Sequence, residues 1–155
     1  MQHMATWQEI EKDAPEFAER VRARFGAGIH KTIATLRKDG SPRISGSELE
    51  FEDGHVSFGM MQGSLKLLDV RRDPRIAVHS PSLDPPKEAG EWLGDAKLAG
   101  RVVEVPPPAD NPHEGAGHFH IDITEVVLTY VGTPADHLVI ESWHEGTGWR
   151  RRTRA

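Results

Sequence analysis

Three features of this chain predict a small, mainly β barrel with helical additions. β-Branched and aromatic residues gather in six or seven short runs of strand character. Tight-turn pairs such as Asp39-Gly40 and Asp53-Gly54 separate the early runs. Helical periodicity is confined to the N-terminal segment and to the stretch after Ser64.

The elements follow in order. Thr6-Trp7-Gln8-Glu9 has the spacing of a capping box, and Asp13-Ala14-Pro15-Glu16 repeats it with proline at the first helical position. Phe17, Val21 and Phe25 fall four apart, with Glu and Arg between them turned to water. A helix is therefore expected over 15–25, ended by Gly26 and Gly28 and preceded by a shorter turn or helix. Strands are expected over 29–36, 43–51 (where the alternation is imperfect) and 55–61. A helix over 64–72 should bury Leu65 and Leu68, with Val70 beside them, before Asp73-Pro74 stops it and a strand follows over 75–80. Residues 82–94 read as a loop, and 97–105 as a long strand halted by Pro106-Pro107-Pro108. After a loop over 111–117, strands over 119–131 and 137–143 complete the sheet. One domain over 5–144 is expected, followed by a basic tail over 145–155. The chain carries no internal repeat.

At 155 residues the chain is long enough to bury a real core, and 37% hydrophobic with 28% charged residues suits a globular domain. A net charge of −5 argues against a general nucleic-acid binder. The one basic cluster, Arg150, Arg151, Arg152 and Arg154, reads as a solvated terminus, with the sharper alternative that an arginine folds back over an anionic cofactor. No apolar run approaches the roughly 20 residues of a membrane span, and no signal peptide is apparent. The absence of cysteine removes disulfides, thiol nucleophiles and Cys-ligated zinc. A cytoplasmic setting is expected. Met1-Gln2-His3 reads as an appended remnant ahead of a start at Met4 and is given no role.

The most informative stretch is 58–80. Ser64 and Lys66, where a strand hands over to a helix, place a hydroxyl and an ammonium beside the positive end of a helix dipole, which suits a phosphate. The plainer reading is an N-cap serine next to a solvated lysine. Ser45-Gly46-Ser47 sits in mid-strand, where glycine marks a bulge or the close approach of another group. Met60 and Met61 are adjacent strand residues and must point to opposite faces. His113, His118 and His120, with Glu114 nearby, are the residue types that hold zinc or copper, yet no second acidic or histidine group supports them and no metal is expected. Gly-x-Ser-x-Gly, His-Glu-x-x-His and phosphate-loop motifs are missing, so hydrolases and nucleotidases lack support.

Several pieces, in their order and spacing, resemble the split β-barrel flavoproteins related to pyridoxamine 5'-phosphate oxidase, including deazaflavin-dependent reductases. They are Ala34-Thr35-Leu36-Arg37-Lys38-Asp39-Gly40-Ser41-Pro42-Arg43, Gly63-Ser64-Leu65-Lys66, Asp69-Val70-Arg71-Arg72-Asp73-Pro74-Arg75 and Leu98-Ala99-Gly100-Arg101-Val102. The resemblance spans residues 15–143. It implies a split β-barrel, FMN-binding and pyridoxamine phosphate oxidase-like, with the cofactor in a cleft between two barrels of a homodimer. Carried over by position, Ser45, Gly46 and Ser47 would run beside the cofactor ring, Met60 and Met61 would sit at the strand end near it, and Ser64 and Lys66 would hold its phosphate. Trp92, Trp143 or Trp149 would cap the cofactor or simply pack at the interface. His79 would be a proton donor, a haem ligand or a structural histidine.

The chain departs from the vitamin B6 oxidases at three positions. Ser45 and Leu65 stand where those enzymes have arginine, and Glu50 where they have lysine. Losing cations weakens phosphate affinity, because charge-assisted hydrogen bonds are roughly twice as strong as neutral ones. The resemblance thus implies an oxidoreductase using FMN or the deazaflavin coenzyme F-420, not a true pyridoxamine phosphate oxidase. Its substrate would be a small, flat, oxidised molecule such as a quinone, nitro compound or enone. The alternative is a non-catalytic haem- or flavin-binding protein on the same fold.

Overall fold

The structure, a computed structural model, describes residues 5–110 and 113–155. Expectations for residues 1–4, and for 111–112 of the loop before the long strand, lie outside the described residues.

Thr6 caps the first helix, α1 (Trp7–Asp13), its hydroxyl accepting the Glu9 N–H at 3.2 Å. Pro15 opens α2 (Pro15–Phe25), where its missing N–H would have been unpaired in any case. The second capping box does not form. Asp13 ends α1, no side chain caps α2, and Asp13 Oδ2 accepts the Trp143 indole N–H at 2.9 Å. Phe17, Val21 and Phe25 are buried as their spacing requires.

Among the described residues, nine strands form one antiparallel sheet: β1 (His30–Leu36), β2 (Pro42–Glu48), β3 (Glu50–Glu52), β4 (His55–Met60), β5 (Arg75–His79), β6 (Asp95–Val105), β7 (Gly117–Val131), β8 (Leu138–His144) and β9 (Gly148–Arg154). A third helix, α3 (Leu65–Arg72), joins β4 to β5, and the loop before β6 holds one 3₁₀ turn, Ala89–Glu91. The main path is β2-β1-β5-β6-β7-β4-β3, with β8 on β7 and β9 on β8.

Two features split the barrel. The strand expected over 43–51 changes partner at buried Leu49: β2 pairs with β1, whereas β3 pairs with β4. The two ends of the path are thus consecutive in sequence, and the sheet curls without closing. The long β7 has β6 along one edge, while β4 takes the first part of its other edge and β8 the last. A register shift at Ala99/Gly100 leaves Thr124 as the extra residue of β7, a bulge that bends β7 against β6. There a Cβ on Gly100 would lie 1.9 Å from the Asp122 carbonyl oxygen, so the bend requires glycine.

The core lies between the inner sheet face and α1 and α2. Trp7 meets Phe51 edge-on at 4.9 Å, and Phe25 lies 5.5 Å from Phe51. The basic tail is a strand: Arg150–Arg154 pair with β8 through Arg154↔Leu138, although their side chains stay in solvent as the charge run predicts. No helix among the described residues is long and apolar enough to cross a membrane.

Candidate functional site

α3 departs most from its sequence reading, and its orientation builds the site. Leu65 and Leu68, expected inside, are 58% and 53% exposed, while Leu67, Asp69 and Val70 are buried. The cause is Asp69. Its Oδ2 accepts the Thr35 hydroxyl and Arg43 Nε, both at 2.7 Å, and Arg72 lies 3.6 Å from Oδ1. Burial alone would raise the Asp69 carboxyl, but the bonds from Arg43 and Thr35, with the charges of Arg43 and Arg72, outweigh it and hold the group below the usual carboxylate range. An ion pair satisfied this fully keeps the helix face that carries it inside, and the leucines turn out.

A second tie sits one helical turn away. Lys66 Nζ donates to the Gly46 carbonyl at 2.8 Å, so residues 66 and 69 of α3 lace the helix to residues 46 and 43 of β2. Ser64 does what the plain reading assigns it: its hydroxyl caps α3, accepting the Leu67 N–H at 3.3 Å.

Beside this junction a cleft of about 780 Å³ opens among β2, β3, β4 and β7. Ser47, Met61 and Lys66 line it on one side and His113, His118 and His120 on the other, with Pro106 and Pro108 at its end. Met61 is 78% exposed, whereas Met60 is 1% exposed and belongs to the core, so Met61 is the member of that pair on the cleft. Ser45 and Gly46 flank the cleft on β2 without lining it. The register of β1 with β2 runs unshifted from His30↔Glu48 to Leu36↔Pro42, so no bulge accounts for the mid-strand glycine. A Cβ placed on Gly46 would meet no atom within 4 Å.

Sequence reasoning missed the acidic wall of the cleft. Glu48, Glu50 and Glu52 line it at alternate positions, a period-two pattern visible in the sequence once the strand is recognised. The Glu50 carboxylate, accepting a hydrogen bond from protonated Glu52 and repelling its charged form, raises the Glu52 carboxyl above its usual range. Opposite, His120 stacks on His55 with ring centroids 4.1 Å apart and planes 18° from parallel. Burial first, and then the neighbouring His55, lower the His120 imidazole and favour its neutral form. Burial raises the Asp122 carboxyl, whose Oδ2 is buried with no hydrogen-bond partner among the described residues. No group of three His, Asp or Glu side chains among the described residues is placed to hold a metal ion.

The remaining candidates lie elsewhere. His79 Nδ1 meets the Ser80 carbonyl at 2.6 Å, and its Nε2 is 3.6 Å from Asp95. Trp92 lines a separate 300 Å³ pocket with Pro81 and Leu93. Trp143 is buried against Asp13, and Trp149 donates to Glu141 at 2.9 Å.

No protein-family model and no curated protein matches the sequence. Solved structures do match. A pyridoxamine 5'-phosphate oxidase-related, FMN-binding protein from Nostoc punctiforme is 10% identical, with a TM-score of 0.64 over 92% of this chain and 96% of that one. An F420 reductase is 15% identical, with a TM-score of 0.53 over 68% of this chain and 94% of that one. A haem-binding protein from Mycobacterium smegmatis is 15% identical, with a TM-score of 0.56 over 88% of this chain and 57% of that one. At these identities the likeness is one of fold. The fold is that of the split β-barrel, pyridoxamine 5'-phosphate oxidase-like proteins.

Proposed function

We propose that this chain is a flavin- or deazaflavin-dependent oxidoreductase that works as a homodimer on a small oxidised organic substrate, in a cytoplasmic setting. One observation carries the reading: the open space above Gly46, on an unbulged strand, directly beside the Lys66 ammonium. A flat ring fits where a side chain is missing and nothing else fills the gap. The ammonium has three donors and spends one on the Gly46 carbonyl, which leaves two for an anionic group. Bound FMN or coenzyme F-420 supplies the hydride chemistry, so the protein needs no acid–base dyad of its own. The tasks of this chain are to hold the phosphate with Lys66, support the ring along Ser45, Gly46 and Ser47, and keep one face open beside Met61. Ser64 acts by capping α3 and fixing its first turn.

The test is titration of the purified protein with FMN and with F-420 at matched concentrations. At least one should bind, and Lys66→Ala should weaken it by about 1.5–3 kcal/mol, the worth of a charged hydrogen bond. Equal affinity in wild type and Lys66→Ala would remove Lys66 from the site. Failure of both coenzymes to bind would end the reading.

A second reading, a non-catalytic haem-binding protein, draws on His118 and His120 lining the same cleft. A Soret band on adding haem, lost in His118→Ala or His120→Ala, would favour it over the first.

A further inference from the structure

A second cavity lies against α3 and shares no lining residue with the cleft. This groove of about 540 Å³ runs between the β1–β2 turn and α3. Arg37, Lys38, Arg43 and Arg72 line it, and so do the two exposed leucines, Leu65 and Leu68. Its carboxylates are Asp39 and Asp69, giving four cations against two anions in a chain whose net charge is −5.

Both carboxylates are already engaged. Asp39 Oδ1 accepts the Ser41 N–H at 2.9 Å and the Ser41 hydroxyl at 2.6 Å, which holds the turn. Asp69 is buried with Thr35 and Arg43. The cations are not used up. Arg43 spends only Nε on Asp69, so its two Nη groups have no hydrogen-bond partner among the described residues, and Lys38 has none there either. Arg37 donates through Nη1 to the Pro42 carbonyl at 2.8 Å, leaving Nη2 without a partner among the described residues. A guanidinium held by one edge and open at the other is set to take a carboxylate or phosphate oxygen pair.

The leucines define the rest of the ligand. Two large apolar side chains on consecutive turns of an eight-residue helix stand in water at the rim of a basic groove. Water contact at both is what an apolar chain laid over them would remove.

We propose that this groove is a binding site for a small amphipathic anion: a phosphate or carboxylate head on Arg37, Lys38 and Arg43, with a short apolar chain laid across Leu65 and Leu68. The site is independent of the coenzyme reading of Lys66.

Calorimetric titration of the full chain with octyl phosphate, octanoate, inorganic phosphate and octylammonium tests it. Octyl phosphate or octanoate should bind at one site at least tenfold more tightly than inorganic phosphate, and the better of the two identifies the head group. Octylammonium should not bind. Lys38→Glu, in an exposed turn, should weaken the better anion at least fivefold without lowering the melting temperature. Leu68→Ser should weaken that anion and leave inorganic phosphate unchanged. Lys66→Ala should have no effect, which separates this site from the cleft whether or not a coenzyme binds there. The proposal is overturned if octyl anions bind no better than phosphate, if octylammonium binds equally well, or if Lys38→Glu is silent. Loss of octyl binding in Lys66→Ala would also overturn it. So would conversion of a dimer to a monomer by Leu68→Ser, since the leucines would then belong to a second copy of the chain.

Discussion

Gly46 and Lys66 meet through a single hydrogen bond, and the two residues make opposite demands on a mutation. Gly46 keeps ordinary strand geometry and has open space above it, so a side chain there should fit the fold and occupy the ring position. Gly46→Val is therefore expected to leave the melting temperature within about 2 °C of wild type, as for a surface change that disturbs nothing. The same change should reduce coenzyme affinity at least tenfold. Normal coenzyme binding by the Gly46→Val variant would show that the ring lies elsewhere. Asp69 is the contrasting case, because its neighbours and not its solvent decide its charge. It sets which face of α3 is inside, and its two oxygens are taken up by Thr35, Arg43 and Arg72.

Among the elements, much could be read from residues alone. The α1 cap, the whole of α2, the Asp39-Gly40 turn with Gly40 at φ +87°, and the Pro106–Pro108 stop all stand where local chemistry puts them. Local signals failed where a distant partner decided the outcome. The periodicity of α3 favours burying Leu65 and Leu68, and only the approach of Thr35 and Arg43 from other strands reverses that. Gly146 and Gly148 give a turn signal before the arginine run, but the run has no apolar alternation, so its pairing cannot be read without β8. Ser47, Met61 and Lys66, singled out from sequence, line one cleft, and the alternating Glu48, Glu50 and Glu52 are equally visible in the sequence, but only the pairing of β3 with β4 brings them to that cleft. At the bulge between β6 and β7, Gly100→Ala should destabilise the protein by roughly 1–3 kcal/mol, since the added methyl meets backbone and not a movable side chain. Urea denaturation with an unchanged midpoint would show that the bend tolerates a side chain.

For the molecule as a whole, two expectations follow. Ala34, Ala77 and Ala99 are directly paired across β1, β5 and β6, forming a flat band on the outer sheet face where a second barrel can approach closely. Light scattering should give a dimer at micromolar concentration, and Ala77→Arg should give a monomer. A wild-type monomer would count against the shared-cleft reading. The second expectation concerns acid. Asp69 and Glu141 both have folded-state carboxyls held below their ordinary values of 3.8 and 4.5. For Glu141 burial acts upward, but hydrogen bonds from Arg20, Tyr130 and Trp149 outweigh it. Groups shifted this way stabilise the fold above their unfolded values and lose that contribution as pH falls through the folded ones. His120, lowered from 6.5, binds its proton more readily when unfolded and so weakens the fold as pH drops below that value. The melting temperature should thus be flat above pH 6.5, slope gently below it and fall faster below 4.5. Glu141→Gln should flatten the steep part, and an unaltered acid limb would remove Glu141 from this account.

The carboxylate of Glu141 accepts from Arg20 at 2.6 Å, from Tyr130 at 2.5 Å and from Trp149 at 2.9 Å, and it is only 2% exposed. A ribosome making this chain releases Arg20 long before residue 141 exists. The same delay holds for Asp13, which waits for Trp143, and for Ala5, whose bridge partner is Ile123. The N-terminal helices therefore emerge well before the residues that tie their polar ends to the sheet. Collapse of the helices onto Phe51 can begin early, but the polar ties that fix them to the sheet close only after the last hairpin is made.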